Sequence, residues 1–178
     1  MRARARLSDM IVWVNGTFGV GKTTTSNLLT ELLPDARLFD AENVGYMIRP
    51  VLADIRVRDF QEYPPWRALV VETAVHILGY VGGTLVIPQS VLVREFWTEL
   101  REGLAKAGIP LRHFVLHADP EELRRRITGD TPEIQKWRLD HIADYQAALP
   151  WLREEGEVVP TVGVEPLDVA RRIAAAVA

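Results

Sequence analysis

The run Met10-Ile-Val-Trp-Val14, then Asn15, then Gly16-Thr-Phe-Gly-Val-Gly21-Lys22-Thr23, decides how this chain is read. Its first part is continuously apolar and strand-forming, as a strand covered on both faces requires. The second part fits G-x-x-x-x-G-K-[ST] without a mismatch, and the residues from Lys22 to Leu33 favour helix. At ordinary residue usage the pattern arises by chance at roughly 4 × 10⁻⁵ per position. Coincidence is therefore a poor explanation in a chain of 178 residues, and the strand–loop–helix context makes it poorer. The glycines let backbone N–H groups close around phosphate oxygens, and the following helix adds its dipole to the same anion. Lys22 is expected to reach the β- and γ-phosphates, the Thr23 hydroxyl to ligate Mg²⁺, and Thr24 to serve the α-phosphate side. Gly16, Thr17, Phe18, Gly19, Val20, Gly21, Lys22, Thr23 and Thr24 are thus the expected binding loop for ATP or GTP.

Working outward, short apolar segments alternate with helical ones. Arg37–Phe39, Thr84–Ile87, Leu111–Leu116 and the weaker Val158-Val159 read as further strands. Helices are expected over Ala41–Leu52, Trp66–Val81, Arg94–Ala107, from Asp119, over Trp137–Leu149 and over Leu167–Val177, with Asp59–Pro65 and Thr128–Gln135 as loops. Strict alternation with about five strands predicts an α/β fold, a three-layer sandwich with a parallel sheet between helices, as one domain over 1–178. Ligands of such sheets sit at the carboxyl ends of the strands.

Composition narrows the function. A net charge of −3 argues against general nucleic-acid binding, and the absence of cysteine removes thiolate metal sites and fits a reducing cytoplasm. The basic opening Arg2, Arg4, Arg6 precedes an apolar stretch too short for a signal peptide or an integral membrane segment, so residues 1–9 are expected to be a flexible extension. The four histidines show no ligand spacing.

On the acceptor side, the third strand ends Pro88-Gln89-Ser90 without a carboxylate, whereas the second ends on Asp40 with Glu42 two residues on. Asp40 would hold a metal-bound water or accept a proton from a substrate hydroxyl; capping the next helix is the other role open to it. Arg49, Arg67 and Arg126 are candidates for substrate or phosphoryl oxygens, because a planar guanidinium suits bidentate contact. Gln89 joins the expected substrate residues.

Ile11-Val-Trp-Val-Asn-Gly-Thr-Phe-Gly-Val-Gly-Lys-Thr23 resembles the opening of the tunicamycin-resistance (TmrB-like) P-loop proteins. The likeness continues through Phe39-Asp40, Gly45, Asp59-Phe-Gln-Glu-Tyr-Pro-Pro-Trp-Arg67, Gly83–Pro88, His113–Leu116 and Leu123–Arg126. It implies a nucleoside- or shikimate-kinase-like P-loop fold with strand order 2-3-1-4-5, ATP binding, and protection against tunicamycin, a nucleoside antibiotic. It also implies a lid at about 127–137 with its tip at Gly129-Asp130-Thr131-Pro132, and Arg126 as the residue stabilising the transferring phosphoryl group. A membrane-associating tail known in the family is not carried over.

The expected protein is therefore a cytoplasmic monomer or homodimer that uses ATP and Mg²⁺ to phosphorylate tunicamycin or a related nucleoside. Lys22, Asp40 and Arg126 would be catalytic, Thr23 and Asp40 would serve the metal, and Asp40, Arg49, Arg67 and Gln89 would serve the substrate. Two alternatives stay open: drug sequestration without catalysis, and a nucleotide-hydrolysing regulator.

Overall fold

β1 spans Met10–Asn15 and forms the centre of the sheet in a computed structural model that describes residues 9–128 and 132–177. β2 (Ala36–Leu38), β3 (Thr84–Pro88), β4 (Leu111–His117) and β5 (Glu157–Pro160) complete five parallel strands in the order β2-β3-β1-β4-β5. That is the expected order.

The apolar run of β1 is explained by its surroundings. Ile11 and Trp13 project into one core with Leu85 and Ile87, and Val12 and Val14 into a second core with Phe114 and Leu116. Helices α2 (Glu42–Ile48), α3 (Pro64–Val81) and α4 (Arg94–Lys106) cover the first face. Helices α1 (Lys22–Leu32), α5 (Pro120–Ile127), α6 (Pro132–Glu155) and α7 (Pro166–Val177) cover the second. Every residue from Ile11 to Asn15 is consequently buried, and a strand with two dry faces cannot alternate polar and apolar positions.

Most expected boundaries fall within a residue or two of the observed ones. The helix expected over Trp137–Leu149 is longer at both ends, Pro132–Glu155, and α2 is shorter than expected: it ends at Ile48, and turns carry the chain through residues 49–55 towards a single 3₁₀ turn at Phe60–Glu62. Pro50 lacks the N–H that would have continued the helix. Asp9, expected in a flexible extension, is buried and accepts a hydrogen bond from the Gly83 N–H at 3.0 Å. Residues 1–8, including the three arginines, lie outside the described residues, as do Gly129, Asp130 and Thr131 of the expected lid tip. Of the rest of the expected lid, Ile127 ends α5, Thr128 lies in a turn, and Pro132–Trp137 open α6, where proline is well tolerated in the first helical turn.

Candidate functional site

The loop from Gly16 to Gly21 leaves the carboxyl end of β1 and turns directly into α1. Gly16 has φ 132°, and a Cβ there would stand 2.7 Å from the Leu116 carbonyl oxygen, so only glycine fits against β4. Asn15 fixes the start of the loop. Its Oδ1 accepts from the N–H groups of Gly16 (2.8 Å) and Val91 (2.9 Å), and its Nδ2 donates to the Val91 carbonyl at 3.1 Å. Ser90 adds a hydroxyl donated to the Gly16 carbonyl at 2.6 Å.

Behind Asn15 stands His113, buried and stacked on Trp97 at 3.9 Å. Its Nδ1 lies 2.9 Å from the Glu155 carbonyl, so that nitrogen carries the proton and Nε2 accepts from Asn15 Nδ2 at 3.2 Å. Burial lowers the His113 pKa to about 4, which agrees with this neutral tautomer.

Among the described residues, no backbone N–H from Thr17 to Gly21 is used in a hydrogen bond, while Lys22 Nζ turns back onto the Thr17 carbonyl at 2.8 Å. Unused donors, a helix N-terminus and an ammonium group converge on one small volume. These residues fit a polyphosphate. Burial pushes the Lys22 pKa down to about 8, the Glu42 carboxylate works against that shift, and the Arg138 guanidinium adds to it.

A cavity of about 560 Å³ opens beside this loop. Phe18 of the loop forms part of its wall, with Glu42 and Tyr46 of α2, Arg58–Glu62, Gln89–Ser90, Phe96 of α4 and one face of α6. On α6, Trp137, His141, Asp144, Ala148 and Trp151 recur at helical spacing, so one stripe of that helix looks into the cavity. The Phe18 ring meets Trp137 at 4.5 Å and His141 at 5.2 Å, and the buried Thr17 hydroxyl donates to the His141 carbonyl at 3.4 Å. The phosphate loop and α6 are thereby packed together.

The block Asp59–Arg67 proves to be the framework of the opposite wall. Asp59 caps the 3₁₀ turn by accepting from the Gln61 N–H at 2.8 Å. Gln61 Nε2 donates to the Ser90 carbonyl at 2.8 Å, and Trp66 Nε1 donates to the Ala41 carbonyl at 3.1 Å. Gly45 permits the close approach of α2, since a Cβ there would stand 2.7 Å from the Phe60 ring.

The expected site residues separate in space. Gln89 lines the cavity; Asp40 lines neither cavity, and its Oδ1 accepts from the Glu42 N–H at 3.0 Å at the start of α2. Of the two, Glu42 is the carboxylate that lines the cavity, its pKa raised by burial and then by the Asp40 charge. Arg67 is buried and engaged: it donates to Glu99 at 2.6 Å and to the Gln61 carbonyl, and it packs on Phe96 at 4.3 Å. Its guanidinium holds two wall residues in place and does not reach into the cavity. Arg49 is exposed at the end of α2 and lines neither cavity.

Arg126 lies on the other side of the loop. It lines a smaller pocket of about 170 Å³ with Val20, Gly21, Thr24, Thr25 and Thr161, and it donates to Thr161 Oγ1 at 3.1 Å and to Glu122 at 2.7 Å. Thr23 is exposed in the first turn of α1. The sequence reading did not single out Arg138, which lines the larger cavity 5.8 Å from the Phe18 ring and within electrostatic reach of Lys22. The periodic stripe on α6 was the signal that could have found it.

With this geometry in view, comparison with known proteins is decisive about kinship. A family profile described as "AAA domain" matches residues 12–146, which take in the phosphate loop and most of the cavity lining. The chain belongs to the AAA-domain family. This AAA-domain chain is also similar in structure to the tunicamycin resistance protein of Deinococcus radiodurans, with a TM-score of 0.72, 28% identity and 95% of each chain covered. The likeness to tunicamycin-resistance P-loop proteins and their kinase-like fold is thus borne out. A sugar kinase from Janibacter sp. HTCC2649 has a TM-score of 0.68 at 20% identity, covering 96% of this chain and 98% of that one. A gluconokinase from Sinorhizobium meliloti 1021 has a TM-score of 0.58 at 21% identity, covering 96% and 97% respectively. At those identities the two kinases bear on the fold alone. No curated protein sequence matches the AAA-domain chain. None of its described helices is long and apolar enough to cross a membrane.

Proposed function

We propose that this protein is an ATP- and Mg²⁺-dependent small-molecule phosphotransferase of the cytoplasm, acting on a hydroxyl of tunicamycin or a related nucleoside. The observation that carries the reading is that Phe18 belongs at once to the phosphate loop and to the wall of the 560 Å³ cavity. A donor held by the loop would therefore present its terminal phosphoryl group to whatever fills that cavity. The name and the 28% identity of the Deinococcus radiodurans protein support the choice of acceptor.

The residues divide the work. The N–H groups of Thr17–Gly21 and the Lys22 ammonium would hold the β- and γ-phosphates, and Thr24 with the smaller pocket would hold the rest of the nucleotide. Thr23 would ligate the magnesium ion, and Asp40 would accept from its water shell. Magnesium, when bound, offsets phosphate charge and fixes the donor's orientation. Glu42 would accept the proton of the acceptor hydroxyl as its oxygen bonds to the γ-phosphorus; the bond from that phosphorus to the β-phosphate oxygen breaks, and ADP leaves. Arg138 takes the role expected of Arg126, because it shares the cavity with Phe18 and Glu42. Arg126 then braces the loop, α5 and the segment after β5 as a positioning residue.

The test is to incubate the protein with Mg-ATP and excess tunicamycin and weigh the drug. A gain of one phosphoryl group over many turnovers is expected. Tight stoichiometric binding with unchanged drug mass would replace transfer by sequestration.

A further inference from the structure

A cavity that holds no acceptor still confronts the donor with the nucleophiles of its own wall. His141 of α6 lines the larger cavity and is 8% exposed. Its Nδ1 lies 2.7 Å from the Trp137 carbonyl, one helical turn back. A carbonyl only accepts, so Nδ1 carries the proton and Nε2 of the neutral ring keeps a lone pair. Nε2 makes no hydrogen bond among the described residues, and it is not enclosed.

Two contacts fasten this residue to the phosphate loop. The Thr17 hydroxyl donates to the His141 carbonyl at 3.4 Å, and the Phe18 ring stands nearly perpendicular to the imidazole at 5.2 Å. Trp137 packs on the imidazole at 4.4 Å, so the ring is held from two sides. The other nucleophiles of the wall are committed or repelled. The Ser90 hydroxyl is donated to the Gly16 carbonyl at 2.6 Å and the Tyr46 hydroxyl to Glu42 at 3.4 Å. Glu42, Asp59, Glu62 and Asp144 would bring a carboxylate up to a polyphosphate of the same sign. Among the described residues lining the cavity, His141 is the one imidazole. Arg138, three residues before it, lines the cavity as a cation for phosphoryl oxygens, and the Asp59 carboxylate lies within electrostatic reach of the ring.

The geometry points to a further activity: without an acceptor, this chain phosphorylates itself on His141 Nε2. The inference rests on reading the cavity as the acceptor site of a nucleotide held by the loop. The Nε2 lone pair forms the new bond to the γ-phosphorus. The bond from that phosphorus to the β-phosphate oxygen breaks, its electron pair stays on that oxygen, and ADP leaves. No proton departs, because the ring keeps the one on Nδ1 and its bond to the Trp137 carbonyl. The positive charge the ring gains is met by Asp59. A phosphoryl group on Nε2 takes up space an acceptor needs, so the modified chain is blocked.

The unaltered protein is incubated with Mg²⁺ and γ-labelled ATP, with no acceptor present. Peptides kept at alkaline pH are then fragmented to locate the label. Expected is one phosphoryl group per chain on His141, stable to alkali and lost in acid, as an N–P bond behaves. An unlabelled chain that calorimetry shows to bind Mg-ATP overturns the inference, and so does label on another residue. A chain that binds no Mg-ATP overturns both this inference and the reading beneath it. His141→Asn keeps a donor for the Trp137 carbonyl but lacks Nε2. It should cut the label about tenfold or more while nucleotide affinity changes less than about threefold; equal label overturns the inference. Excess tunicamycin separates the two readings. Drug that gains a phosphoryl group while His141 never carries label leaves the transferase standing alone. Label on His141 beside drug of unchanged mass leaves only the self-phosphorylation.

Discussion

The rings of Phe18 and Trp137 lie 4.5 Å apart, which joins the phosphate loop to the helix that walls the acceptor cavity. Aromatic contacts of this kind contribute about 0.5–1.5 kcal/mol beyond their burial. Phe18→Leu is expected to raise the KM for the acceptor roughly tenfold while changing nucleotide affinity less than about threefold. Steady-state kinetics with each substrate varied in turn gives the answer; equal effects on both would deny the division.

Lys22, with a pKa lowered to about 8, is half deprotonated near that pH in the ligand-free protein. A bound polyphosphate favours the charged ammonium, so nucleotide binding at pH 8 should draw in about half a proton. Affinity should fall as pH rises past that value. Calorimetry in buffers of different ionisation enthalpy measures the uptake directly. Lys22→Ala should abolish both the uptake and the transfer, with the circular-dichroism spectrum unchanged.

His113 makes stability depend on pH. Its folded pKa of about 4 lies below the 6.5 of an unperturbed imidazole, so the unfolded chain takes up the proton first. Stability from this group is complete above about pH 6.5 and declines as pH falls toward 4, by about 3 kcal/mol in all. Denaturant melts across that window should show the loss, and His113→Gln should flatten it.

Asp40 and Glu42 should separate in their effects. Glu42→Gln removes the proton acceptor in the cavity and should lower kcat by about 10²–10⁴ with nucleotide binding retained. Asp40→Asn keeps the capping oxygen and should cost turnover less. If Asp40→Asn is the more damaging of the two in pre-steady-state assays, the base is Asp40.

Arg67→Ala should destabilise the protein by about 2–4 kcal/mol, because a buried guanidinium with a carboxylate, a carbonyl and a ring as partners leaves all three behind. Thermal melting checks the stability, and acceptor KM checks the wall it supports. Arg49→Ala, at an exposed helix end, should move neither.

Much of this was legible in the chain because it depends on local chemistry. The apolar run before Asn15, the loop glycines and the alternation of segments follow from rules that act over a few residues, and they delivered the parallel sheet and the glycine-rich turn after β1; the strand order came from the family resemblance. Arginine roles depend on what lies across the fold. Nothing near Arg67 in sequence announces Glu99, thirty-two positions away, or Phe96 beneath it. The cavity face of α6 was readable in principle from Trp137, His141, Asp144 and Trp151, but helical spacing alone does not tell which partner a stripe meets. Asp40 and Glu42 show the finer limit: two carboxylates two residues apart, one turned to a helix end and the other to the cavity.

Asn15 clasps Gly16 and Val91 together, so the sheet-end half of the molecule is set by main-chain geometry that tolerates little change. The α6 stripe, by contrast, hangs side chains from a regular backbone. Descendants of this scaffold should thus diversify by swapping residues along that one helix, leaving the glycine-rich loop inherited intact.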